Sequence, residues 1–444
     1  MRVLICAAAL LAAMPASAAL AQAPASAAER ATATPRETAA AVAGRIREFY
    51  FDPAAAERIA ADLEAAAAAG AFDELTDNRD LAAALTSRLK PQDAHFAVVY
   101  DPDAPPPRAR VIGPAPAGSA PAPAPEPRRG PSPGEVRNHF GFRKVEILPG
   151  NIGYIDLRQF SDIDFENPND PARRAADAAL TFVADTDAVI FDLRDNGGGA
   201  PSMVGYLTSA FTPADAPIYN IFHSREGTES EAPAVFHPSP RLDVPVYVLI
   251  SGRTGSAGEA FPYTLQGAKR ATIVGEASGG AANPGGMVPA GGGFAVFVSM
   301  GSPKNPATGR NWEGTGVLPD VATPWDQALV RAQTLALQAI VSADPQRQDA
   351  AWALEALGST TQPGDLSAYA GTYGELVVSV SGDKLSLVRG RRPPVMLQRL
   401  DGDVFTTVGD PSRRIRFSRD HAGQVTAFET QSLGGPSTRA RRTG

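Results

Sequence analysis

The sequence predicts an α/β layered core, preceded by a small helical domain and followed by a small antiparallel β barrel or sandwich. Across residues 134–335, apolar strand-like runs alternate with helix-forming stretches. Ahead of them, residues 37–100 are rich in Ala, Leu and Glu at helical spacing. Behind them, residues 363–435 carry short β-branched runs separated by Gly-Asp, Asp-Gly and Ala-Gly turns.

Taken in order, residues 1–21 read as a secretory signal. Arg2 gives the positive start, residues 3–14 the apolar run, and Ala19-Leu20-Ala21 a small-x-small cleavage site. The run is too short to cross a bilayer, so no stable membrane span is expected after cleavage. Cys6, the single cysteine of the 444 residues, falls inside this segment. The mature chain should therefore hold no thiol, disulfide or Cys-based metal site. These features suggest a bacterial periplasmic or secreted protein.

In the helical domain, Ile46 and Phe49 share a face, residues 54–69 are nearly all helix formers, and Asn78 is placed to cap a helix carrying Leu81, Leu85 and Leu89. Residues 95–100 resemble a short strand. Residues 101–133 are dominated by proline and read as an extended linker. Within the core, residues 153–157, 188–192, 244–251 and 271–274 read as strands. Residues 170–183, 203–210 and 258–266 read as helices, and a helical connector spans 336–362. The last region offers strands at 377–380, 384–388, 404–408, 415–417 and 425–428.

With 43% hydrophobic and 20% charged residues, the chain can bury a sizeable core. A net charge of −7 argues against nucleic acid as a partner, because phosphate binding requires a basic surface. Neither His-Glu-x-x-His nor paired-Cys spacing is present, which disfavours a metalloenzyme, and no metal or other cofactor is expected.

Three core segments could carry chemistry. Asp192-Leu-Arg-Asp-Asn-Gly-Gly-Gly199 follows a buried strand, where glycines let backbone N–H groups face a bound group. Ser256 follows another apolar strand, among small residues, where a helix begins. A hydroxyl there is either a nucleophile or a helix cap. The surrounding Thr-Gly-Ser-Ala-Gly lacks the glycine-two-before-serine pattern of the hydrolase elbow. Asn311-Trp-Glu313-Gly-Thr-Gly-Val-Leu-Pro-Asp320 sets a carboxylate beside an aromatic and a glycine turn.

In one order, Asp192-Leu-Arg-x-Asn-x-Gly-Gly199, Thr254-x-Ser256-Ala-x-Glu259, Ile273-Val-Gly-Glu276 and Gly314-x-Gly-Val-x-Pro-Asp320 resemble the C-terminal (tail-specific) processing protease superfamily. The resemblance covers about residues 150–325 and implies a crotonase/ClpP-like core. One branch of that superfamily uses a lysine after the Val-Gly-Glu motif, where this chain has Ala281. The other, which includes tricorn-like and interphotoreceptor-retinoid-binding-protein-like members, takes a histidine from an Asp-x-His segment, matched by Asp93-Ala-His95. The resemblance therefore implies a serine-type endopeptidase acting on a polypeptide. Ser256 would be its nucleophile, His95 the general base and Glu313 the acidic member, with an oxyanion hole from Gly197, Gly198 and Ala257. Ala94 stands where tricorn-like members have serine, so Asp93 is the alternative group for orienting His95. No PDZ module is discernible, and oligomerisation is left open.

Two rival readings remain. Ser87-x-x-Lys90 and Ser381-x-x-Lys384 match the β-lactamase-type spacing. A non-proteolytic, apolar-ligand-binding protein on the same fold is the alternative from outside enzymology.

Overall fold

The computed structural model describes residues 33–102, 130–359 and 365–444. The segment read as a signal, and most of the proline-rich stretch, lie outside the described residues. Among the described residues no helix is long and apolar enough to cross a membrane.

Helices Pro35–Phe49, Pro53–Ala68 and Asn78–Leu89 open the described chain. Each starts on a side chain that accepts otherwise orphaned N–H groups: Thr34, Asp52 and Asp77. The cap expected at Asn78 is thus Asp77, whose carboxylate also suits the positive helix end. Their apolar faces (Val42, Ile46, Ile59, Leu63, Leu81 and Leu85 among them) do not close on themselves. They pack with Val288, Val296 and Val298 of the following region. Those valines lie on a three-stranded antiparallel sheet in which Ala97–Tyr100 pairs with Phe294–Ser299, and that strand with Gly285–Gly291. The strand expected from residue 95 starts at Ala97, leaving His95 in the turn before it.

The core is a six-stranded sheet, ordered Val321–Ala322, Ala271–Gly275, Val246–Ile250, Ala188–Asp192, Ile152–Leu157, Phe142–Leu148. All neighbours are parallel except the last pair. Its central strands are buried on both faces, which is why they read as continuous apolar runs. Ile155, Val189, Phe191, Val248 and Ile273 face helices Pro171–Phe182, Pro201–Ser209 and Ala257–Gly267. Tyr154, Ile190, Leu249 and Val274 face Ala328–Ala343 and Gln348–Gly358. Leu249 has no solvent exposure. Leu249→Asp should cost more than about 4 kcal/mol, because it removes apolar burial and inserts an unpaired carboxylate. Loss of cooperative thermal unfolding would report it.

The C-terminal region is an eight-stranded antiparallel meander from Gly371–Tyr373 to Thr438–Arg441. It nearly closes on itself: Thr372 N–H donates to Gly444 O at 2.8 Å, and Thr443 N–H to Thr372 O at 2.7 Å. Of the two forms expected, the barrel is therefore the one found. Tyr369, Phe405, Phe417 and Phe428 fill it. Arg414 lies 4.7 Å over the Trp352 ring and pairs with Glu355, joining the barrel to the last core helix.

Candidate active site

The chain leaves strand Val246–Ile250, makes a tight turn and enters helix Ala257–Gly267 through Ser256. Ser256 has φ 54° and ψ −124°, a left-handed conformation costing a non-glycine residue on the order of 1–3 kcal/mol. Several contacts hold it there. Thr254 Oγ1 donates to Leu193 O at 2.8 Å, and Gly255 N–H donates to Asn196 O at 3.0 Å. A Cβ on Gly198 would stand 2.8 Å from that of Ser256, so only glycine lets the 197–199 turn lie against this serine. Although the spacing around Ser256 departs from the elbow pattern, its geometry is that of an elbow: strand, strained hydroxyl residue, helix.

Two backbone donors beside Ser256, the N–H groups of Gly197 and Ala257, make no hydrogen bond among the described residues. Gly198 differs. Its N–H is donated to Asn196 Oδ1 at 2.8 Å. Ala257 opens a helix, where an unpaired N–H and the helix dipole both favour negative charge.

Glu259, three residues on and fully buried, anchors this turn. Oε2 accepts the N–H groups of Ser256 at 2.8 Å and Ala281 at 2.9 Å; Oε1 accepts the Ser278 hydroxyl at 2.6 Å and Gly280 N–H at 2.7 Å. Glu259→Ala would leave these buried donors without an acceptor. We expect a loss on the order of 3 kcal/mol, measurable by denaturant unfolding.

His95 sits mostly buried, its ring stacked 5.8 Å from that of Phe297. Nδ1 lies 3.2 Å from Asp93 Oδ1 and 3.3 Å from Glu313 Oε1. Only the Asp93 contact has hydrogen-bond geometry, and Glu313 Oε1 is a buried oxygen without a hydrogen bond. Asp93 also accepts the His95 N–H at 2.9 Å, Tyr50 OH at 3.2 Å and Asn283 Nδ2 at 3.3 Å. Burial alone would raise the Asp93 carboxyl, but its bonds to His95 outweigh that and hold it below the usual range. Burial likewise pulls the imidazole down, yet its close contacts with the Asp93 and Glu313 carboxylates push it up to about 9.

Glu313 joins the two halves. Its Oε2 accepts the N–H groups of Ala282 at 2.8 Å and Asn283 at 3.0 Å, the residues next to those gripped by Glu259. Ser256 and His95 therefore stand on the same side of the molecule, tied through two carboxylates to one segment, 278–283. No direct hydrogen bond joins Ser256 Oγ to His95. Such bonds commonly tighten only when substrate is bound. Trp312, buried against Tyr263 at 5.0 Å, fixes the loop that carries Glu313. Asn283 and Tyr50 went unnoticed in the sequence, since neither lies in a motif.

The β-lactamase-type pairs fail structurally. Ser87 Oγ donates to Ala83 O at 2.9 Å within its helix, and Lys384 pairs with Asp383 at 3.0 Å in a hairpin turn. Among the described residues, Asp93, His95 and Glu313 form the one cluster with a metal-like donor set. A cation there would have to break the Asp93 bond to His95 Nδ1, and chelator treatment should leave turnover unchanged.

A strained hydroxyl at a helix start and a carboxylate-bound imidazole are thus each tied through a glutamate to the segment 278–283. Residues 151–323 match the model of peptidase family S41. It is 30% identical to the carboxyl-terminal-processing protease of Synechocystis sp. over 29% of this chain and 28% of that protein. It is 28% identical to the carboxy-terminal-processing protease of Bartonella bacilliformis over 39% of each. The chain thus spans well under half the length of these curated relatives. Among solved structures, a photosystem II D1 C-terminal processing protease is similar at 25% identity and a TM-score of 0.32, over 39% of this chain and 43% of that one. The resemblance to C-terminal processing proteases holds over the core.

Proposed function

We propose that this protein is an exported serine-type endopeptidase acting on polypeptides. Ser256 Oγ attacks the scissile carbonyl and passes its proton to His95 Nε2. Asp93 orients the ring through Nδ1, and Glu313 adds negative charge that favours the imidazolium. The N–H groups of Ala257 and Gly197 receive the oxyanion. His95 then protonates the leaving amine, and water, deprotonated by the same imidazole, releases the acyl group from Ser256.

The observation that carries this reading is the strained Ser256 turn tied through one loop to an imidazole with a carboxylate on Nδ1. A serine-directed covalent probe, with peptide mapping of the adduct, tests it. Labelling confined to Ser256, with peptide products absent from Ser256→Ala, is the expected result. Failure of labelling together with an uncut peptide library would favour the apolar-ligand-binding alternative.

The position of the imidazole has a kinetic consequence. With a pKa near 9, about one His95 in a hundred is the free base at pH 7. The kcat/KM profile should therefore climb with pH and level off near 9. Glu313→Gln removes one of the charges that raise the ring and should move the climb to lower pH. A pH–rate profile of both proteins checks this.

A further inference from the structure

Resting on the peptidase reading, we propose that the cleft beside Ser256 receives a lysine or arginine side chain of the substrate, at a position flanking the scissile bond, with Glu231 as its counter-charge. The cleft has a volume of about 690 Å³. Its position follows from two of its walls. Pro201 comes three residues after Gly198, the residue packed against Ser256, and so within about 11 Å along the chain. Pro284 follows Asn283, which touches Asp93 and whose N–H is held by Glu313. The cleft thus begins three residues beyond the glycine packed against Ser256, and at the end of the segment 278–283 that Glu259 and Glu313 hold.

Its chemistry is that of a long cationic side chain. Phe222, Pro284 and Met300 offer apolar surface for an alkyl stem. Glu231, only 4% exposed, is among the lining residues, and Glu229 adds a second carboxylate on the exposed strand beside it. Asn220 Nδ2 donates to Glu231 Oε2 at 2.6 Å, and Asn220 is itself held by Thr264 and Asn305. No Lys, Arg or His pairs with Glu231 among the described residues. A buried carboxylate without a cation is costly, and burial pushes this one up to about 7. An incoming ammonium or guanidinium would supply the missing charge and restore the ionised form. The buried Asn220 network keeps the carboxylate in place for it.

The test digests a peptide library with wild type, Glu231→Gln and Ser256→Ala, and maps cut sites by mass spectrometry. Matched peptides carrying Lys or Met at the flanking position then give kcat/KM. Wild type should favour Lys by roughly 10²-fold, the scale of a desolvated charge pair, and Glu231→Gln should erase that preference while still cutting the Met peptide. The wild-type preference needs no variant, so misfolding of Glu231→Gln would not shield the idea. Ser256-dependent cleavage with no preference for a basic residue, or a preference kept in Glu231→Gln, overturns this inference alone. Absence of any Ser256-dependent cleavage overturns the peptidase reading and this inference with it.

Discussion

Ser256→Ala should lower kcat by a factor of about 10⁴ or more while leaving thermal unfolding unchanged. In the proposed mechanism the hydroxyl oxygen forms the acyl bond, and no neighbouring side chain would replace it. What survives would come from substrate binding and from the N–H groups of Ala257 and Gly197. Stability should hold because alanine keeps the Cβ and inherits the same backbone strain at φ 54°, while Glu259 still accepts the residue's N–H. Steady-state kinetics beside a circular-dichroism melt would show it. A variant with substantial activity would mean that another group attacks.

His95→Ala should reduce kcat by about 10³-fold or more and flatten the dependence on pH below 9. In the proposed mechanism the imidazole takes the proton from Ser256, so removing it would remove both rate and titration. Its effect on stability has a definite sign. The folded pKa lies above the ordinary value of 6.5, so the charged ring stabilises the fold fully below pH 6.5. That contribution is lost as pH rises through about 9. Denaturant midpoints of wild type and His95→Ala should therefore converge on the alkaline side. An unaltered pH–rate profile in His95→Ala would remove this histidine from the mechanism.

Legibility differed with the source of each signal. The core strands were plain because burial on both faces leaves unbroken apolar runs such as residues 188–192 and 246–250. Less plain were Val395–Asp401, where Gln and Arg interrupt the alternation, and Thr438–Arg441, an edge strand made of charged and small residues. Strand Gly285–Gly291 hid behind its glycines, whose weak strand preference is overridden by pairing with Phe294–Ser299. Glu259 stood in a quoted motif, yet its four donors come from residues 256 and 278–281, a convergence no local pattern reveals.

By itself the sequence determined the layered core, the glycine turn and the serine at a helix start; His95 and Glu313 came only through the family resemblance. The first three depend on local spacing and on which residues avoid water. Only the tertiary structure decided that Asp93 makes the hydrogen bond to His95, that Gly198 has no free N–H, and that Glu231 is buried on Asn220 at the wall of a cleft. Those outcomes depend on angles and partners set by packing, as where Asn283, just before the sheet 285–299, meets Asp93 of the helical segment. Hydrogen bonds are directional over a few tenths of an ångström, whereas residue patterns record only which face is apolar.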